Sequence, residues 1–377
     1  MSLIPSYFSV QIAFAPLPLP FMRALREIEI ETAVGQASIF RLHFDLSRNF
    51  MGDFDALAID IFRPMFPITI RMSVGLGLPL TLINGYIKDT SVKVSNDPGA
   101  STLEVVGMDA LGTLMAHVDQ PIPWPNLPDN AVASAIFAKY GMTPLAWPTP
   151  PTRTLLTTIT TQRGNDASLL LQLAQHNGFE VYVQPNPLSG LDVGHFHPPL
   201  FFPLPQGVLS IDFGSQTNLL SFNVAYDMLS PRMVFDLTPD PVTRAPMVAV
   251  GAVSTDLPLG REPTLNRILP PPVQIDFASG AANPEEAAVY AFARATSSSR
   301  CIRANGEVDG IKFKRPLMVG LLVLVRGAGQ LHSGAYYVTS VTHRISRDDY
   351  TQSFSAWRNA VGLTGAEVFV DPLEPAG

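Results

Sequence analysis

The sequence predicts a mainly β fold interrupted by an α/β insertion. Period-two alternation of apolar residues, which is typical of half-buried strands, runs from Phe21 to about Val118 and returns from about Gly207. Between these regions, four prolines within residues 121–128 end the first β region, and two helical patterns follow. A similar hairpin pattern also occurs once in each β region.

The two hairpin patterns share several letters and spacings. The first, GYIKDTSV, opens at Gly85, breaks at residues 96–99 and closes at Ala110. The second, GAYYVTSV, opens at Gly334, breaks at residues 347–349 and closes at Ala360. In both, Ser-Val begins six residues after the opening glycine. This predicts a duplicated β-hairpin, and a chain that uses one module twice is more typical of an assembly component with internal pseudo-symmetry than of an enzyme with a single cleft.

Residues 1–118 are predicted to form a first β module with an N-terminal arm. Strands are expected around Ile28 and Ile30, over 39–44 and over 66–72, followed by the first hairpin. The first 22 residues carry no charged side chain, but their prolines and the lack of a basic segment argue against a signal peptide or a membrane span. We therefore expect no membrane anchor.

Residues 119–206 are predicted to form the α/β insertion. Asp129 or Asn130 can cap a helix that reaches Tyr140. Asn165 or Asp166 can cap a second helix, which Gly178 would end in a left-handed conformation. A strand is expected over 179–183.

Residues 207–240 are predicted as a returning β segment, and 241–360 as a second β module with one helix. A proline-rich connection, which includes residues 270–272, precedes Asn283-Pro284, a cap and first helical position for a helix to about Thr296. Strands are expected at 301–302 and 321–325, before the second hairpin. Residues 361–377 are left as a C-terminal tail.

Composition narrows the classes of function. Only 15% of the 377 residues are charged, against roughly 25% in ordinary soluble domains, while 46% are hydrophobic. We therefore expect apolar surface that is buried between subunits. The net charge of −7 argues against a dedicated nucleic-acid binder. A single cysteine, Cys301, excludes an intrachain disulfide and a cysteine-built zinc site, and is expected to be a semi-buried thiol beside a helix end.

Residues that could carry chemistry are few. His195 and His197 place two imidazoles on one strand face, a spacing that some metal sites use, but no third ligand follows in sequence, and a stacked or solvated pair is the favoured interpretation. The acidic pairs Glu285-Glu286 and Asp348-Asp349 are explained by a helix start and a hairpin turn. The sequence contains no nucleophile elbow, phosphate-binding loop, metalloprotease motif or dinucleotide fingerprint. We predict no catalytic residue, cofactor or metal, and hence no enzyme.

Three motifs in order resemble a known family. They are the hairpin that ends in Asp109-Ala110-Leu111, the segment Gln162-Arg163-Gly164-Asn165-Asp166 before a Leu-rich helix and Gly178-Phe179-Glu180-Val181, and the second hairpin that ends in Trp357-Arg358-Asn359. Together, over about residues 20–360, they resemble the baseplate hub proteins of contractile phage tails. This is the late control protein D family, which also supplies the hub portion of VgrG spikes.

The resemblance implies an architecture and a role. Two related β-barrel modules per chain would form a pseudo-six-fold ring in a homotrimer, which adapts a three-fold central spike to a six-fold tail tube and encloses the delivery channel. The implied partners are the spike, the tail tube or its initiator, and baseplate wedge and tape-measure proteins, with DNA or other cargo passing without specific binding. The implied location is the baseplate of a virion tail or of a related injection particle, assembled in the cytoplasm of the host bacterium.

The tail and the arm are the candidate contact segments. Larger VgrG-type proteins continue into a spike, whereas this sequence has only residues 361–377 there, so Val368, Phe369 and Val370 are candidates for docking a separate spike. A frayed terminus is the alternative. The N-terminal arm is expected either to lie on a neighbouring subunit or to pack as a strand. Two rival functions stay open: a carbohydrate-binding module that uses Trp124, Trp147 and Trp357, and a tail-associated cell-wall hydrolase.

Overall fold

The computed structural model describes residues 7–74, 77–97, 99–150, 160–201, 204–277 and 279–370. The protein is mainly β and is built around one large, mostly antiparallel sheet of 13 strands. The predicted fold class, mainly β with an α/β insertion, is confirmed at this level.

The N-terminal part of the large sheet contains seven strands and a short helix. These are β1 (Tyr7–Ile12), β2 (Ala15–Pro16), α1 (Leu19–Ala24), β3 (Leu25–Ala33), β4 (Ile39–Leu46), β5 (Pro67–Ser73), β6 (Leu80–Lys93) and β7 (Ser101–Met108). Their order is β3-β4-β7-β6-β5-β1-β2. Alternation sets the buried face: in β5, Ile68, Ile70 and Met72 are buried and the residues between them are not. Because β1 pairs with β5, the described part of the N-terminal arm packs as a strand, and residues 1–6 lie outside the described ranges.

The insertion is a small sheet with two helices packed on it. Its elements are β8 (Pro123–Trp124), α2 (Asp129–Lys139), β9 (Thr143–Ala146), β10 (Thr160–Thr161), α3 (Asp166–Asn177), β11 (Glu180–Pro185) and β12 (Asp192–His197), with the sheet order β11-β12-β9. The predicted ends of α3 are confirmed, since Asn165 accepts the backbone N–H of Ser168 and Gly178 has φ 67°. The predicted cap of α2 was wrong. Pro128 occupies that position, and Asp129 instead accepts a hydrogen bond from Asn177 of α3.

The C-terminal half completes the large sheet and adds a separate small one. Its elements are β13 (Val208–Ser210), β14 (Leu219–Tyr226), β15 (Met233–Pro239), β16 (Pro246–Gly251), β17 (Glu262–Pro263), β18 (Val273–Phe277), α4 (Pro284–Ser299), β19 (Ile302–Asp309), α5 (Gly310–Phe313), β20 (Leu322–Arg326), α6 (Gly329–His332), β21 (Gly334–Ser346), β22 (Tyr350–Arg358) and β23 (Ala360–Val361). The cap of α4 is Asn283, as predicted.

The segment read from the sequence as a proline-rich connection contains two strands, so that expectation was wrong. β16 and β18 flank β15 in a three-stranded sheet, with α4 packed on one face. Both are edge strands, where a leading proline such as Pro246 costs no ladder hydrogen bond. The segment 207–240 divides between the two sheets, because β13 and β14 join the large sheet and β15 joins the small one.

The two halves of the large sheet meet at one strand. β21 pairs along one edge with β22, and along its other edge it has two partners in succession. Residues 334–337 pair with β20, whereas 340–346 pair with β3 of the N-terminal half. β21 is therefore shared between a local partner and the other half of the chain.

Five strands of each half correspond in order, direction and register. The order β3-β4-β7-β6-β5 of the first half matches β14-β19-β22-β21-β20 of the second. Each half has a β-bulge at the same two places, Arg26 in β3 and Leu220 in β14, then Lys88 in β6 and Thr339 in β21. Because bulges fix register, their recurrence shows one five-stranded unit built twice. We call these the first unit and the second unit.

The alignment of the two hairpins in the structure differs from the alignment of their sequences that predicted the repeat. Aligning the bulges places Lys88 on Thr339, so Ser91-Val92 corresponds to Thr342-His343 and not to Ser340-Val341. The predicted repeat of the hairpin is therefore present, but the matched letters are two residues out of register on β21.

In corresponding parts of the two cores, the large aromatic side chain comes from a different strand in each unit. A Cβ atom on Gly107 of β7 would lie 2.3 Å from the Phe40 ring, and one on Gly85 would lie 2.8 Å from it. At the corresponding positions of the second unit, Phe40 becomes Ala304, Gly107 becomes Ala356 and Gly85 becomes Tyr336, which is fully buried. The large ring in this part of the core therefore comes from β4 in the first unit and from β21 in the second.

Candidate assembly site

The C-terminal segment 363–370 lies beside the second unit and borders an apolar groove. The groove has a volume of about 450 Å³, and its walls include Leu204, Leu322, Leu324 and Ala335 together with Val368 and Val370. Val368 and Val370 are 68% and 57% exposed. The candidate docking residues therefore present apolar side chains at the open rim of a groove.

Arg326 of β20 holds this segment in place. Its guanidinium donates to the backbone oxygen of Phe369 at 3.3 Å, to Ser210 Oγ at 2.7 Å and to Gln216 Oε1 at 2.5 Å, and it lies 3.9 Å from the centre of the Phe213 ring. Ahead of it, the carboxylate of Glu367 accepts the backbone N–H groups of Thr364 and Gly365. The path of the tail is thus set by specific hydrogen bonds up to Phe369.

Arg358, which belongs to the motif at the end of the second hairpin, fixes the start of the C-terminal segment at Gly362. Arg358 is fully buried, and it forms none of the ion pairs found among the described residues. Its Nη1 donates to the Ser333 oxygen at 2.9 Å, and its Nη2 donates to the oxygens of Leu259 and Gly362 at 2.8 and 2.9 Å. Carbonyl dipoles and the face of the Tyr336 ring, 5.2 Å away, therefore balance the charge.

Glu180 joins the insertion to the second unit. The Tyr337 hydroxyl of β21 donates to Glu180 Oε2 at 2.5 Å, and Glu180 is buried at the start of β11. Burial raises the pKa of Glu180 to about 7, although the hydrogen bond from Tyr337 and the charge of Arg300 oppose the rise. Arg300 itself pairs with Asp256 at 2.7 Å and lies over the Trp357 ring. This cluster is a structural junction between parts of the chain.

The Gln162 to Asp166 motif also has a structural role. One carboxylate, that of Asp166, accepts hydrogen bonds from Lys139, Tyr140 and Gln162, each at 2.7 Å. Burial raises the pKa of Asp166, but these three donors outweigh that effect and lower it below its ordinary value. The motif therefore ties α3 to the end of α2.

The two histidines form a hydrogen-bonded pair whose rings meet edge to face, at an interplanar angle of 72°, so the stacked pair favoured from the sequence was wrong. His195 lies parallel to the Tyr182 ring at 4.2 Å, its Nδ1 is 3.0 Å from His197 Nε2, and His197 Nδ1 is 2.8 Å from the Pro198 oxygen. Burial lowers the pKa of both, that of His195 to about 3. Within the described ranges no group of three or more potential metal ligands occurs. The nitrogens that face each other are committed to a hydrogen bond.

The remaining single residues also have packing roles. Asp109, at the end of the first hairpin, is buried and accepts the backbone N–H groups of Ser38 and Gly112, and burial raises its pKa to about 7. Cys301 lies just after α4, as expected, but is fully rather than partly buried, and burial raises its thiol pKa. Trp357 is buried, and Trp124 donates to Gln162 Oε1.

The outer face of the small sheet is an apolar surface that the sequence analysis missed. On the face opposite α4, eight outward positions on the three strands are apolar, and five of them are between 38% and 71% exposed. They are Met233, Phe235, Leu237, Val248, Val250, Val273, Ile275 and Phe277. The alternation of apolar residues in 246–251 and 273–277 could have predicted these strands and their exposed face. For Glu180 the sequence carried only a weak signal, which is an acidic residue within an otherwise apolar strand.

The fold matches solved structures of tail proteins, whereas no protein-family model and no curated protein matches the sequence. The 43 kDa tail protein of prophage MuSo2 from Shewanella oneidensis matches with a TM-score of 0.63 at 13% identity, over 93% of this chain and 98% of that one. A tail protein from Neisseria meningitidis MC58 matches with 0.62 at 13% identity, over 94% and 97%.

A third match comes from a secretion system. An Escherichia coli component of the type VI secretion system, described as structurally similar to T4 bacteriophage tail proteins gp27 and gp5, matches with 0.55 at 13% identity, over 93% of this chain and 76% of that one. The chain therefore has the fold of phage tail proteins and of this secretion component, which confirms the resemblance at the level of fold. Among its described helices, none is long and apolar enough to cross a membrane.

Proposed function

We propose that this chain, which has the fold of phage tail proteins, is a structural hub at the centre of a contractile tail baseplate. Three copies would form a ring of six similar units around a channel for DNA or other cargo, with a three-fold spike on one side and the six-fold tube on the other. The observation that carries the proposal is the five-stranded unit built twice in matching register, because it gives one chain two similar contact surfaces.

Two further observations support an assembly role. The apolar positions on the outer face of the small sheet adjoin one another on three paired strands, unlike the scattered apolar residues of an ordinary monomer surface. The motif residues Gln162, Asp166 and Arg358 all serve internal hydrogen bonds, which favours a mechanical role over a catalytic one. As part of the proposal, Val368, Phe369 and Val370 dock the spike, and tube-initiator, wedge and tape-measure proteins bind elsewhere on the ring.

The test is the mass and shape of the purified protein. Light scattering should give about three times 40.8 kDa, and negative-stain images of the same sample should show a ring with a central hole. A compact monomer at all concentrations, or a dimer, would contradict the hub.

The rival functions gain little from the structure. A carbohydrate platform needs exposed aromatic faces, but Trp357 is buried and only Trp147 among the three tryptophans is largely exposed, at 44%. A glycan array tests this rival directly. Zymography on peptidoglycan tests the cell-wall hydrolase, and clearing of the substrate would refute the non-enzymatic role.

A further inference from the structure

We propose that neighbouring copies of this chain join their sheets edge to edge, with β14 of one copy paired in the next copy to residues 90–94, which are the end of β6 and the residue that follows it. The inference rests on the proposed ring and specifies its contact. It is drawn from a pairing that already occurs inside one chain.

Among the described residues, the large sheet leaves two strand edges free, one on its terminal strand β14 and one where β6 extends beyond its partner β5. β14 is the terminal strand, and its described strand partner is β19. β6 pairs with β7 along one edge, but along the other edge only residues 80–86 pair with β5. Residues 88–93 of β6 are all exposed. Unpaired edges of this kind are usually covered in native proteins.

The contact between the two units shows how such edges are covered. β3 of the first unit pairs with residues 340–346 of β21 in the second. In the register fixed by the bulges, β3 corresponds to β14, and residues 340–345 of β21 correspond to 89–94 of the first unit. The two free edges are therefore the counterparts of the two edges that pair within the chain.

Burial differs between the paired and unpaired copies as this correspondence predicts. Val92 and Val94 are 46% and 55% exposed, whereas their counterparts His343 and Ile345 are 2% and 0% exposed. On the other strand, Phe222 and Val224 are half-buried, whereas their counterparts Ile28 and Ile30 are fully buried. The same positions are covered where a second unit is present and open where it is absent.

The internal pairing also gives the register between copies. Val341 lies opposite Thr32, Thr342 opposite Glu31 and His343 opposite Ile30. Transferred to the free edges, the pairs are Thr90 with Tyr226, Ser91 with Ala225, Val92 with Val224, Lys93 with Asn223, and Val94 with Phe222. None of these pairs opposes like charges. The next pair, Asp89 with Asp227, does, so the pairing should end there.

The occupant of each edge is a second copy of this chain, because the required partner surface is present in the chain itself. The two edges differ, so the contact is head to tail, and such contacts form closed rings or open filaments. If a strand from a different tail protein occupied either edge, residues 90–94 of one copy would not lie opposite residues 222–226 of another.

Cysteine pairs test the register directly. We expect Ser91→Cys and Ala225→Cys, placed on separate chains and mixed, to form a disulfide-linked two-chain species on oxidation, since directly opposite residues are close enough for a disulfide. Neither variant alone should cross-link. The native Cys301 is buried and stays in all variants. The double variant should link every chain of the particle.

Two matched pairs control the experiment. Ser91→Cys with Asn223→Cys is displaced by two residues on the same face, a diagonal separation of roughly 7–8 Å that a disulfide does not span. Glu31→Cys with Thr342→Cys is the internal counterpart, and should form a disulfide within one chain.

The outcomes distinguish a failure of the proposed edge pairing from a failure of the proposed trimer. If the internal pair oxidises and the particle has several copies but the intermolecular pair does not link, the edge pairing is wrong while a trimer can stand. If the displaced pair links equally well, or a single variant links to itself, the register or the head-to-tail contact is wrong. Complete linking at a number of copies other than three supports the pairing and refutes the trimer. A monomer without links contradicts both.

Discussion

The burial of Glu180 should make stability depend on pH in a way that one substitution removes. The pKa of Glu180 is about 7 in the folded chain, against an ordinary value of 4.5. The folded state then binds this proton more tightly than the unfolded state, so stability falls as the pH rises from about 4.5 to about 7. The difference corresponds to roughly 3 kcal/mol.

The perturbation is Glu180→Gln. The amide oxygen can still accept the Tyr337 hydroxyl, but the side chain no longer ionises at any pH in this range. We expect the variant to match the wild-type free energy of unfolding within about 1 kcal/mol near pH 4, and to exceed it by roughly 3 kcal/mol near pH 8.

The assay is urea unfolding of both proteins at pH 4, 6 and 8. Burial also shifts the pKa values of Asp109, to about 7, and of His343, to about 4. Both residues are present in the two proteins, so the difference between their free energies of unfolding reports Glu180 alone. Glu285→Gln, at an exposed position in the first turn of α4, is the control, and its difference from wild type should vary by less than about 1 kcal/mol. Parallel wild-type and Glu180→Gln profiles would refute the reasoning.

Three further predictions concern packing and docking. Arg358→Leu leaves the oxygens of Ser333, Leu259 and Gly362 without their donor, so urea unfolding should show a loss of at least about 3 kcal/mol, and a loss below about 1 kcal/mol would mean that water replaces the guanidinium. Gly107→Ala should cost about 1–3 kcal/mol because its Cβ would lie 2.3 Å from both the Phe40 ring and the backbone oxygen of Tyr86. Adding Phe40→Ala should recover only part of this cost in a double-mutant cycle, since the Tyr86 oxygen remains, and strictly additive losses would show that Phe40 contributes none of the strain. Val368→Asp with Val370→Asp should weaken binding of the spike protein in a pull-down at least tenfold without changing the particle mass, and unchanged binding would remove the tail from the docking site.

Sequence reasoning worked where the determining contacts are local. The cap at Asn165, the left-handed Gly178 and the Asn283-Pro284 start place α3 and α4 because the groups that satisfy a helix end lie within a few residues of it. Strands with one buried face, such as β5, were equally visible.

What was missed depends on partners far along the chain. β16 and β18 are short edge strands next to prolines, so their composition resembled a linker. A bulge at Leu220 turns that residue outward and buries Leu219, which alternation alone does not reveal. Trp357-Arg358-Asn359 was visible as a motif, but the role of Arg358 in fixing the start of the C-terminal segment depends on oxygens of residues 259, 333 and 362.

The different filling of the two cores has an evolutionary consequence. Phe40 requires glycine at 107, and the position that Gly85 occupies in the first unit holds Tyr336 in the second. A recombination event that exchanged a single strand between the two halves of the gene would bring bulky residues together in one core or leave a void in the other. Divergence has therefore made the two halves non-interchangeable, so that each can adapt to its own neighbours without being overwritten by the other.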